Sequence, residues 1–500
     1  MSDSVPERPD ILLVVMDCAR ADVFAELLAD PTALPFLHGL LADGLSFPGA
    51  IAPSSWTVPS HASLFTGLYP WEHGAHNKSS DTLATAPETI AGHLGRAGYA
   101  TGCFSANAYV QPATGLTHGF SEVQWGGDRE FFLRFLPRRT PSRVDLGGPQ
   151  AALFGRFADS PRASPFWYGL VGSMVTLPAF WDATNRLGGH VRGTRPEEVA
   201  QVAPWIEASV DAWLAQQPAD RPIFAFVNLL EAHEPYLADA GRSTDVARWI
   251  RYARANQDPR RWLRGTWVPG PTDLDVIRAN YRKAFRTIDG RLRGIVEAFR
   301  RRGRWKNTVL VLTSDHGQAF LEHEILFHRL GVGDELVRIP LWLLGPGIRP
   351  GSVSNRWASL LDVPRTVVEL AGGTWFGNPG ARSLLRLSDA PEDRVVHSMN
   401  DGLRPNEAPE MPADRRALLD RFEIASFRGE LKLVASPTGA PTSFRVQSGE
   451  PRRPEQPSGG GPIDPELERA GRAALADAQA RLSGKVFEES VERRIAGWGY

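Results

Sequence analysis

The chain has 500 residues, of which 42% are hydrophobic and 23% charged, and its formal net charge is −1. This composition allows a large globular core and excludes a bulk charge that would favour nucleic acid or an acidic membrane. The N-terminus MSDSVPERPD has neither a basic nor an apolar signal region, and no run reaches the about 18 apolar residues of a membrane-spanning helix. We therefore expect a cytoplasmic protein without a transmembrane segment.

Apolar strand-like runs alternate with helical segments along most of the chain. In chain order, strands are predicted at 11–17, 100–107, 223–233, 308–317 and 339–345, and helices from about residue 21 and at 59–65, 86–99 and 273–302. This alternation predicts an α/β fold, a large and mostly parallel sheet flanked by helices. Ligands of such sheets bind beyond the carboxyl ends of the strands. Five polar residues fall at predicted strand ends: Asp17, Asn107, His233, Asp315 and His316.

The pattern changes near residue 389, where short strands (RVVHSM, EIASFRG, LKLVAS) precede a helix near 465–483. We predict a catalytic domain at 1–388 and a smaller C-terminal α+β subdomain at 389–500.

An insertion at about 126–200 breaks the alternation of strands and helices. Three interpretations stay open for it: a structural subdomain at the edge of the sheet, a lid or wall over the site, or a membrane-surface helix. The two cysteines, Cys18 and Cys103, lie in apolar runs and are expected to be buried thiols.

Several motifs in a fixed order carry a family resemblance. They are PDILLVVMDCARAD, TVPSHASLFTGLYPWEHG, LEAHEPY, TSDHG followed by FHR and RIPLWLLGPG, SLLDVPRTVVELAG and the final GWGY. Together they resemble the sulfatase family of the alkaline phosphatase superfamily. The family's nucleophile pattern is Cys-x-Pro-Ser-Arg, in which the cysteine is oxidised to formylglycine. Thr57 stands at that place here, so we expect no formylglycine and expect the threonine hydroxyl to be the nucleophile. Taken alone, Thr57 would be read as the N-cap of the helix that contains Pro59.

The resemblance also implies a metal site. Asp17, Thr57, Asp315 and His316 would supply three oxygens and one nitrogen to one divalent ion, a set that suits Mn²⁺, Zn²⁺ or Mg²⁺. The set resembles the single-metal sites of phosphonate monoester hydrolases and of phosphoethanolamine and glycerol-phosphate transferases. Many sulfatases have two adjacent acids at the first strand and bind Ca²⁺, whereas the second position here is Cys18, which disfavours Ca²⁺. A second metal, for which Glu231, His233 and His328 are candidates, is not favoured.

Other site residues follow from the same resemblance. His233 and His328 are expected to face the transferring group and its leaving oxygen, because an imidazole can protonate or stabilise that oxygen. Asn107 aligns with a sulfatase lysine, and its amide could donate to a substrate oxygen. Arg20 could orient Asp17 or the nucleophile loop, and a structural role is favoured for it over a catalytic one. His61 replaces the signature arginine and could contact Thr57 or only fill the turn.

The threonine decides the favoured chemistry. The hydrate of formylglycine has a second hydroxyl that expels sulfate, and threonine has none, so a covalent Thr57 intermediate must be cleaved by attack on phosphorus or sulfur. Phosphoryl centres accept this route readily. We predict a metal-dependent hydrolase of a phosphodiester or phosphonate monoester, or a phosphotransferase, acting on a small-molecule or a lipid- or glycan-linked ester and not on nucleic acid. The alternatives are a sulfuric ester hydrolase with Thr57 as nucleophile and an inactive anion-binding protein.

Overall fold

The computed structural model describes the central sheet, its flanking helices and most of the C-terminal elements. The described residues are 8–77, 82–83, 88–107, 109–125, 204–234, 236, 262–389, 394–404, 407, 411–450, 456–457 and 463–483. The predicted insertion at about 126–200 and the final GWGY lie outside the described residues.

Seventeen strands lie within these residues. They are β1 (Asp10–Met16), β2 (Leu45–Ser46), β3 (Ala50–Ile51), β4 (Ala100–Ser105), β5 (Glu122–Trp125), β6 (Ile223–Leu229), β7 (Thr308–Thr313), β8 (Ala319–Phe320), β9 (Leu326–Phe327), β10 (Arg338–Ile339), β11 (Leu341–Leu344), β12 (Ala358–Ser359), β13 (Val396–Asn400), β14 (Glu423–Arg428), β15 (Leu431–Ala435), β16 (Thr442–Arg445) and β17 (Gln456–Pro457).

Eleven α-helices lie within the described residues. They are α1 (Ala21–Ala29), α2 (Pro35–Leu41), α3 (Thr57–Thr66), α4 (Pro70–His73), α5 (Ile90–Arg96), α6 (Pro204–Leu214), α7 (Pro271–Arg301), α8 (Asp334–Val337), α9 (Asp362–Leu370), α10 (Ala413–Leu419) and α11 (Pro465–Leu482). Short 3₁₀ turns occur at Pro112–Thr114, Trp305–Asn307, Glu322–Glu324 and Leu384–Asp389.

The main sheet has seven strands in the order β2-β11-β7-β1-β6-β4-β5. The five strands from β7 to β5 are parallel, and the edge strands β11 and β2 pair antiparallel, so the predicted mostly parallel sheet is confirmed. Val15 of β1 is level with Asn228 of β6 and Thr313 of β7. This register brings the carboxyl ends of the three central strands to one edge, where the predicted site residues lie.

Helices cover both faces of β1, which explains why all seven of its residues are buried. Ile11, Leu13 and Val15 pack with residues of α3, α5 and α9, whereas Leu12 and Val14 pack with residues of α6 and α7. The long helix α7 was predicted at 273–302. It lies at Pro271–Arg301. Gly303, just beyond it, has a left-handed φ of 72°, a conformation that glycine adopts without steric strain after the end of a helix.

The C-terminal strands β13 to β17 form a five-stranded antiparallel sheet, and α11 packs its small apolar residues on β14 and β15. The three short strands and the helix predicted there are therefore confirmed. Asp362 of α9 accepts two hydrogen bonds from Arg394, which joins the C-terminal sheet to the catalytic part. The division into two domains at residue 388 stays a prediction. No helix within the described residues is long and apolar enough to cross a membrane.

Truncation of Leu310 in β7 should destabilise the protein, because its side chain is fully buried between β1 and the helix layer. We expect Leu310→Ala to lower the free energy of unfolding by about 2–5 kcal/mol. Thermal melting would show this as a lower midpoint. Val268→Ala, at a position that is 53% exposed, serves as the control and should leave the midpoint nearly unchanged. An unchanged midpoint in Leu310→Ala would contradict the packing described for the sheet.

Candidate active site

Thr57 is the first residue of α3, and its hydroxyl does not cap the helix. Trp56 occupies the N-cap with an extended backbone (φ −143°, ψ 149°) and makes no side-chain capping bond. The sequence-based placement of Thr57 before the helix is therefore wrong by one residue. Because the hydroxyl is not used for capping, it can face the neighbouring strand ends, and Thr57 Oγ1 lies 3.4 Å from His316 Nε2.

Asp17 follows β1 directly and is held by two amides. Its Oδ2 accepts hydrogen bonds from Asn107 Nδ2 at 2.7 Å and from Asn228 Nδ2 at 3.2 Å. Its Oδ1 lies 3.4 Å from the sulfur of Cys18. Asn107 was predicted as a donor to substrate, and the structure places its amide on Asp17. Asn228 was missed by the sequence analysis, although a polar residue inside the apolar run IFAFVNL was a readable signal.

Asp315 and His316 follow β7 and turn toward Asp17 and Thr57. Asp315 Oδ1 accepts the backbone N–H groups of Cys18 and His316, while its buried Oδ2 accepts no hydrogen bond from the described residues. His316 donates through Nδ1 to the carbonyl of Gly317 at 2.9 Å, which leaves a lone pair on Nε2. That Nε2 lies 3.3 Å from Asp315 Oδ2, so the lone pair, the unpartnered carboxylate oxygen and the Thr57 hydroxyl lie together.

A positive charge would stabilise the buried carboxylates of Asp17 and Asp315. Both carboxylates are fully buried. Burial and the nearby charge of Asp17 raise the pKa of Asp315 well above its ordinary value. Burial also acts to raise the pKa of Asp17, but the charge of His233 and the hydrogen bond from Asn107 act against it, and the pKa of Asp17 is lowered. Burial and the charge of His328 lower the pKa of His316 to about 3, so His316 is neutral and can act as a ligand.

A divalent cation fits this arrangement. Asp17, Cys18 and His316 offer ligand atoms within 4.8 Å of one another, and the unpartnered Asp315 Oδ2 lies beside His316 Nε2. Oxygen and imidazole donors with two buried carboxylates are a typical set for Mg²⁺, Mn²⁺ or Zn²⁺. A cation would also neutralise two charges that the apolar surroundings disfavour.

His233 and His328 form a second wall of the site, and their expected place beside the transferring group stays a prediction. Their ring centroids are 4.9 Å apart, and the ring of His328 stacks on that of His316 at 4.8 Å. His328 Nδ1 lies 3.2 Å from Gln318 Oε1 and 3.6 Å from Glu234 Oε1. Glu234 was missed by the sequence analysis. Its position directly after His233 in LEAHEPY was the available signal.

His61 lies one turn after Thr57 in α3 and contacts its backbone. Its Nδ1 is 3.0 Å from the carbonyl oxygen of Thr57 and 3.5 Å from Asp315 Oδ2, and its Nε2 faces the amide of Asn228 at 3.2 Å. Burial lowers the pKa of His61, so the neutral ring can donate from Nδ1 and accept at Nε2. His61 therefore links α3 to the carboxylate group.

Arg20 does not contact Asp17 or Thr57 and so does not orient them directly. Its guanidinium pairs with Asp22 at 2.7 Å and with Glu322 at 2.8 Å, and it donates to the carbonyl of Gln318. These contacts fit the structural role that the sequence favoured for Arg20 over a catalytic one. Arg20 instead fastens α1 to the segment that follows β7.

These observations define a class of protein. Its open α/β sheet presents a hydroxyl, two carboxylates and three histidines at the carboxyl edge. This arrangement is suited to the transfer of an anionic group. The family model described as Sulfatase matches residues 9–139 and 178–373. The chain belongs to the sulfatase family and is a sulfatase-family hydrolase.

Relatives of similar sequence include two sulfatases, and a phosphonate monoester hydrolase has a similar fold. The chain is 34% identical over 401 residues to arylsulfatase K of Canis lupus familiaris, covering 77% of this chain and 67% of the relative. It is 24% identical over 392 residues to choline-sulfatase of Rhizobium meliloti (strain 1021), covering 73% and 68%. In structure it resembles the phosphonate monoester hydrolase of Silicibacter pomeroyi with a TM-score of 0.61 and 20% identity, covering 95% and 96%. This last likeness shows the fold alone.

The raised pKa of Asp315 gives a testable pH dependence in metal-free protein. The folded protein holds the Asp315 proton above pH 3.8, the ordinary pKa, where the unfolded chain has lost it. The stability of the wild type relative to Asp315→Asn should therefore fall as the pH rises above 3.8, by up to about 1.4 kcal/mol per pH unit until the raised pKa is passed. Thermal melting of both proteins in chelator across a pH series measures this. A difference that does not change with pH would contradict the proposed charge state.

Proposed function

We propose that this protein is a metal-dependent hydrolase of phosphodiesters or phosphonate monoesters, or a phosphotransferase, that acts through a covalent phosphothreonine at Thr57. The observation that carries the proposal is the position of Thr57 Oγ1. It is the side-chain oxygen at the start of α3, it does not cap the helix, and it lies 3.4 Å from the lone-pair nitrogen of His316. A helix N-terminus also favours the anionic group that the hydroxyl would attack.

Four side chains would hold the divalent ion: Asp17, Thr57, Asp315 and His316. When bound there, the ion would lower the pKa of the threonine hydroxyl and neutralise charge on the oxygens of the transferring group. The amides of Asn107 and Asn228 fix the Asp17 carboxylate, and the Gly317 carbonyl fixes the tautomer of His316. These contacts hold the ligands in place before any ion binds.

His233 and His328 would stabilise the leaving oxygen. His328 stacks on His316, which places both rings beside the group around Thr57. The charges of Glu234 and Asp17 outweigh burial and raise the pKa of His233 above 6.5, which favours positive charge on this wall. Positive charge opposite the nucleophile is what a departing alkoxide or phenoxide requires.

The absence of a second oxygen on Thr57 favours phosphorus over sulfur. Threonine carries one hydroxyl, so its ester can be released only by attack of water or another acceptor on the central atom. In-line attack on phosphorus is well supported by a metal ion and by donors to the equatorial oxygens. Whether water or an alcohol is the acceptor decides between hydrolase and transferase.

A sulfuric ester hydrolase with Thr57 as nucleophile is the second candidate. This candidate is favoured by the relative arylsulfatase K, which is named as a sulfatase and is 34% identical to the chain over 401 residues. The same residues would bind a sulfate ester, which carries one negative charge as a phosphodiester does. We expect no formylglycine in either case. Mass spectrometry of the peptide that contains Thr57 should find an unmodified threonine.

Kinetics with matched aryl esters separate the candidates. The panel holds a phosphodiester, a phosphate monoester, a phosphonate monoester and a sulfate monoester, each tested with Mn²⁺, Zn²⁺, Mg²⁺ and Ca²⁺ separately. We expect a phosphorus ester with one negative charge to react fastest. Thr57→Val should lower kcat/KM roughly a thousand-fold or more, because it removes the nucleophile and one metal ligand while keeping the side-chain shape.

The matched control is Thr66→Val in the same helix. The Thr66 hydroxyl donates to the carbonyl of Ala62 at 2.7 Å and does not face the site, so activity should persist. If the sulfate ester reacted fastest, the phosphorus assignment would be overturned and the sulfatase alternative accepted. Turnover retained in Thr57→Val would overturn the nucleophile assignment for both candidates.

The role of His233 predicts a dependence on the leaving group. His233→Ala should slow esters of poor leaving groups, such as alkyl alcohols, by about 10²–10⁴, and should slow a nitrophenyl ester much less. His397→Gln, at a histidine on β13 that contacts Ser426 rather than this site, is the control. An equal loss for all leaving groups would show that His233 binds substrate and does not assist departure.

A further inference from the structure

The chain that follows β13 in the C-terminal sheet lies against the segment that leads into α3. Near the end of β13, the N–H of Met399 donates to the carbonyl of Pro53 at 2.8 Å, and Met399 forms a parallel bridge with Ser54. Just beyond the strand, Asp401 Oδ2 lies 2.6 Å from His76 Nδ1. The C-terminal sheet therefore contacts the catalytic part of the chain only a few residues before α3 begins.

Arg404 reaches from this part of the chain onto Trp56, the residue directly before Thr57. Its guanidinium carbon lies 4.5 Å from the centroid of the Trp56 ring, and both residues are buried. The ring of Tyr109 contacts the same indole, with centroids 5.6 Å apart and planes at 79°. A cation over an indole face is attracted by the negative charge of that face, and the attraction increases when water is excluded. Two side chains from distant segments therefore fix the ring of Trp56.

A series of contacts through Glu407 leads from Arg404 back to the same segment. Glu407 accepts hydrogen bonds from the backbone N–H of Arg404 at 3.0 Å and from the guanidinium of Arg329. The backbone N–H of Arg329 donates in turn to the carbonyl of Ser55 at 2.7 Å. Burial acts to raise the pKa of Glu407, but the charges of Arg329 and Arg404 act against it, and the pKa is lowered. Glu407 is therefore a carboxylate that ties the backbone of Arg404 to the residue before Trp56.

The position of Trp56 in α3 explains what these contacts control. Trp56 is the N-cap residue and makes no side-chain capping bond, so its side chain is fixed by ring contacts rather than by the helix. Its carbonyl accepts the N–H of Ser60 at 3.1 Å, which closes the first turn of α3. Because Trp56 and Thr57 share one rigid peptide unit, a rotation at Trp56 would move the Thr57 hydroxyl relative to His316.

We propose that Arg404 is a positioning residue, which keeps the Thr57 hydroxyl in its reactive position by fixing the side chain of Trp56. The inference rests on the proposed function, since Thr57 is the group that is positioned. Misplacement of a reacting group by about 1 Å can cost roughly 10²-fold in rate. The C-terminal sheet would thereby contribute to catalysis, although it supplies none of the proposed metal ligands.

Kinetics of Arg404→Met test this role on the aryl ester that the wild type turns over fastest. Methionine keeps the length of the side chain and removes its charge. We expect kcat to fall roughly 10–100-fold, with KM and the metal content per chain unchanged, because Arg404 acts on the nucleophile and not on substrate or ion. Arg404→Lys, which returns a cation to the ring, should recover part of kcat. The matched control is Arg415→Met, which should leave kcat unchanged, since Arg415 lies over the distant Trp262 at 4.8 Å.

A double-mutant comparison decides whether Arg404 acts through Trp56. In a Trp56→Leu background, Arg404→Met should cause no further loss of kcat, because the ring on which the guanidinium acts is already absent. Losses that multiply, or a raised KM in Arg404→Met, would mean that Arg404 contacts the substrate and would overturn the positioning role.

Hydrogen–deuterium exchange gives a readout that needs no turnover. In Arg404→Met, the peptide that contains Trp56 and Ser60 should exchange faster than in the wild type, whereas Arg415→Met should leave this peptide unchanged. Circular dichroism establishes that each variant is folded. If Arg404→Met does not fold, Arg404→Lys replaces it in each comparison, with smaller effects expected in the same direction.

This inference and the proposed function can fail separately. Unchanged exchange and unchanged kcat in Arg404→Met would overturn the positioning role alone. Turnover retained in Thr57→Val would overturn the assignment of the nucleophile, whatever the exchange of the Trp56 peptide shows.

Discussion

Two buried carboxylates at the ends of adjacent strands govern the rest of this structure. Asp17 follows β1 and Asp315 follows β7, and the parallel pairing of these strands leaves the two side chains close together without solvent. Two such charges are unfavourable in an apolar interior unless a proton or a cation compensates them. The amides of Asn107 and Asn228 fix Asp17, the neutral His316 faces the unpartnered oxygen of Asp315, and the Thr57 hydroxyl lies within the same group.

Much of this could be predicted from sequence because local patterns encode it. Apolar runs that end in polar residues identified β1, β6 and β7, and parallel pairing then implied that Asp17 and Asp315 meet. The pattern could not show side-chain partners that depend on distant segments. The pair between Arg20 and Glu322, 302 residues away in the chain, is one example. The left-handed backbone at Cys18, with a φ of 61°, has no sequence signal either.

Substitution of the family's nucleophile links the sequence to the chemistry. Under the proposed function, a threonine without a second hydroxyl favours transfer at phosphorus, whereas the names of the relatives include sulfatases. The fold is shared by both chemistries, as the likeness to a phosphonate monoester hydrolase illustrates. Function must therefore be assigned from the oxygens and nitrogens around Thr57 rather than from the sheet that carries them.

Trapping of the covalent intermediate tests the central claim most directly. Metal-loaded protein is mixed with an aryl phosphonate monoester or phosphodiester, quenched in acid during turnover, digested and analysed by tandem mass spectrometry. We expect Thr57 to carry the phosphoryl or phosphonyl group that remains after the aryl alcohol has left, and this added mass to disappear once the substrate is exhausted. Steady turnover with an unmodified Thr57 peptide at every quench time, or with the adduct on another residue, would contradict it.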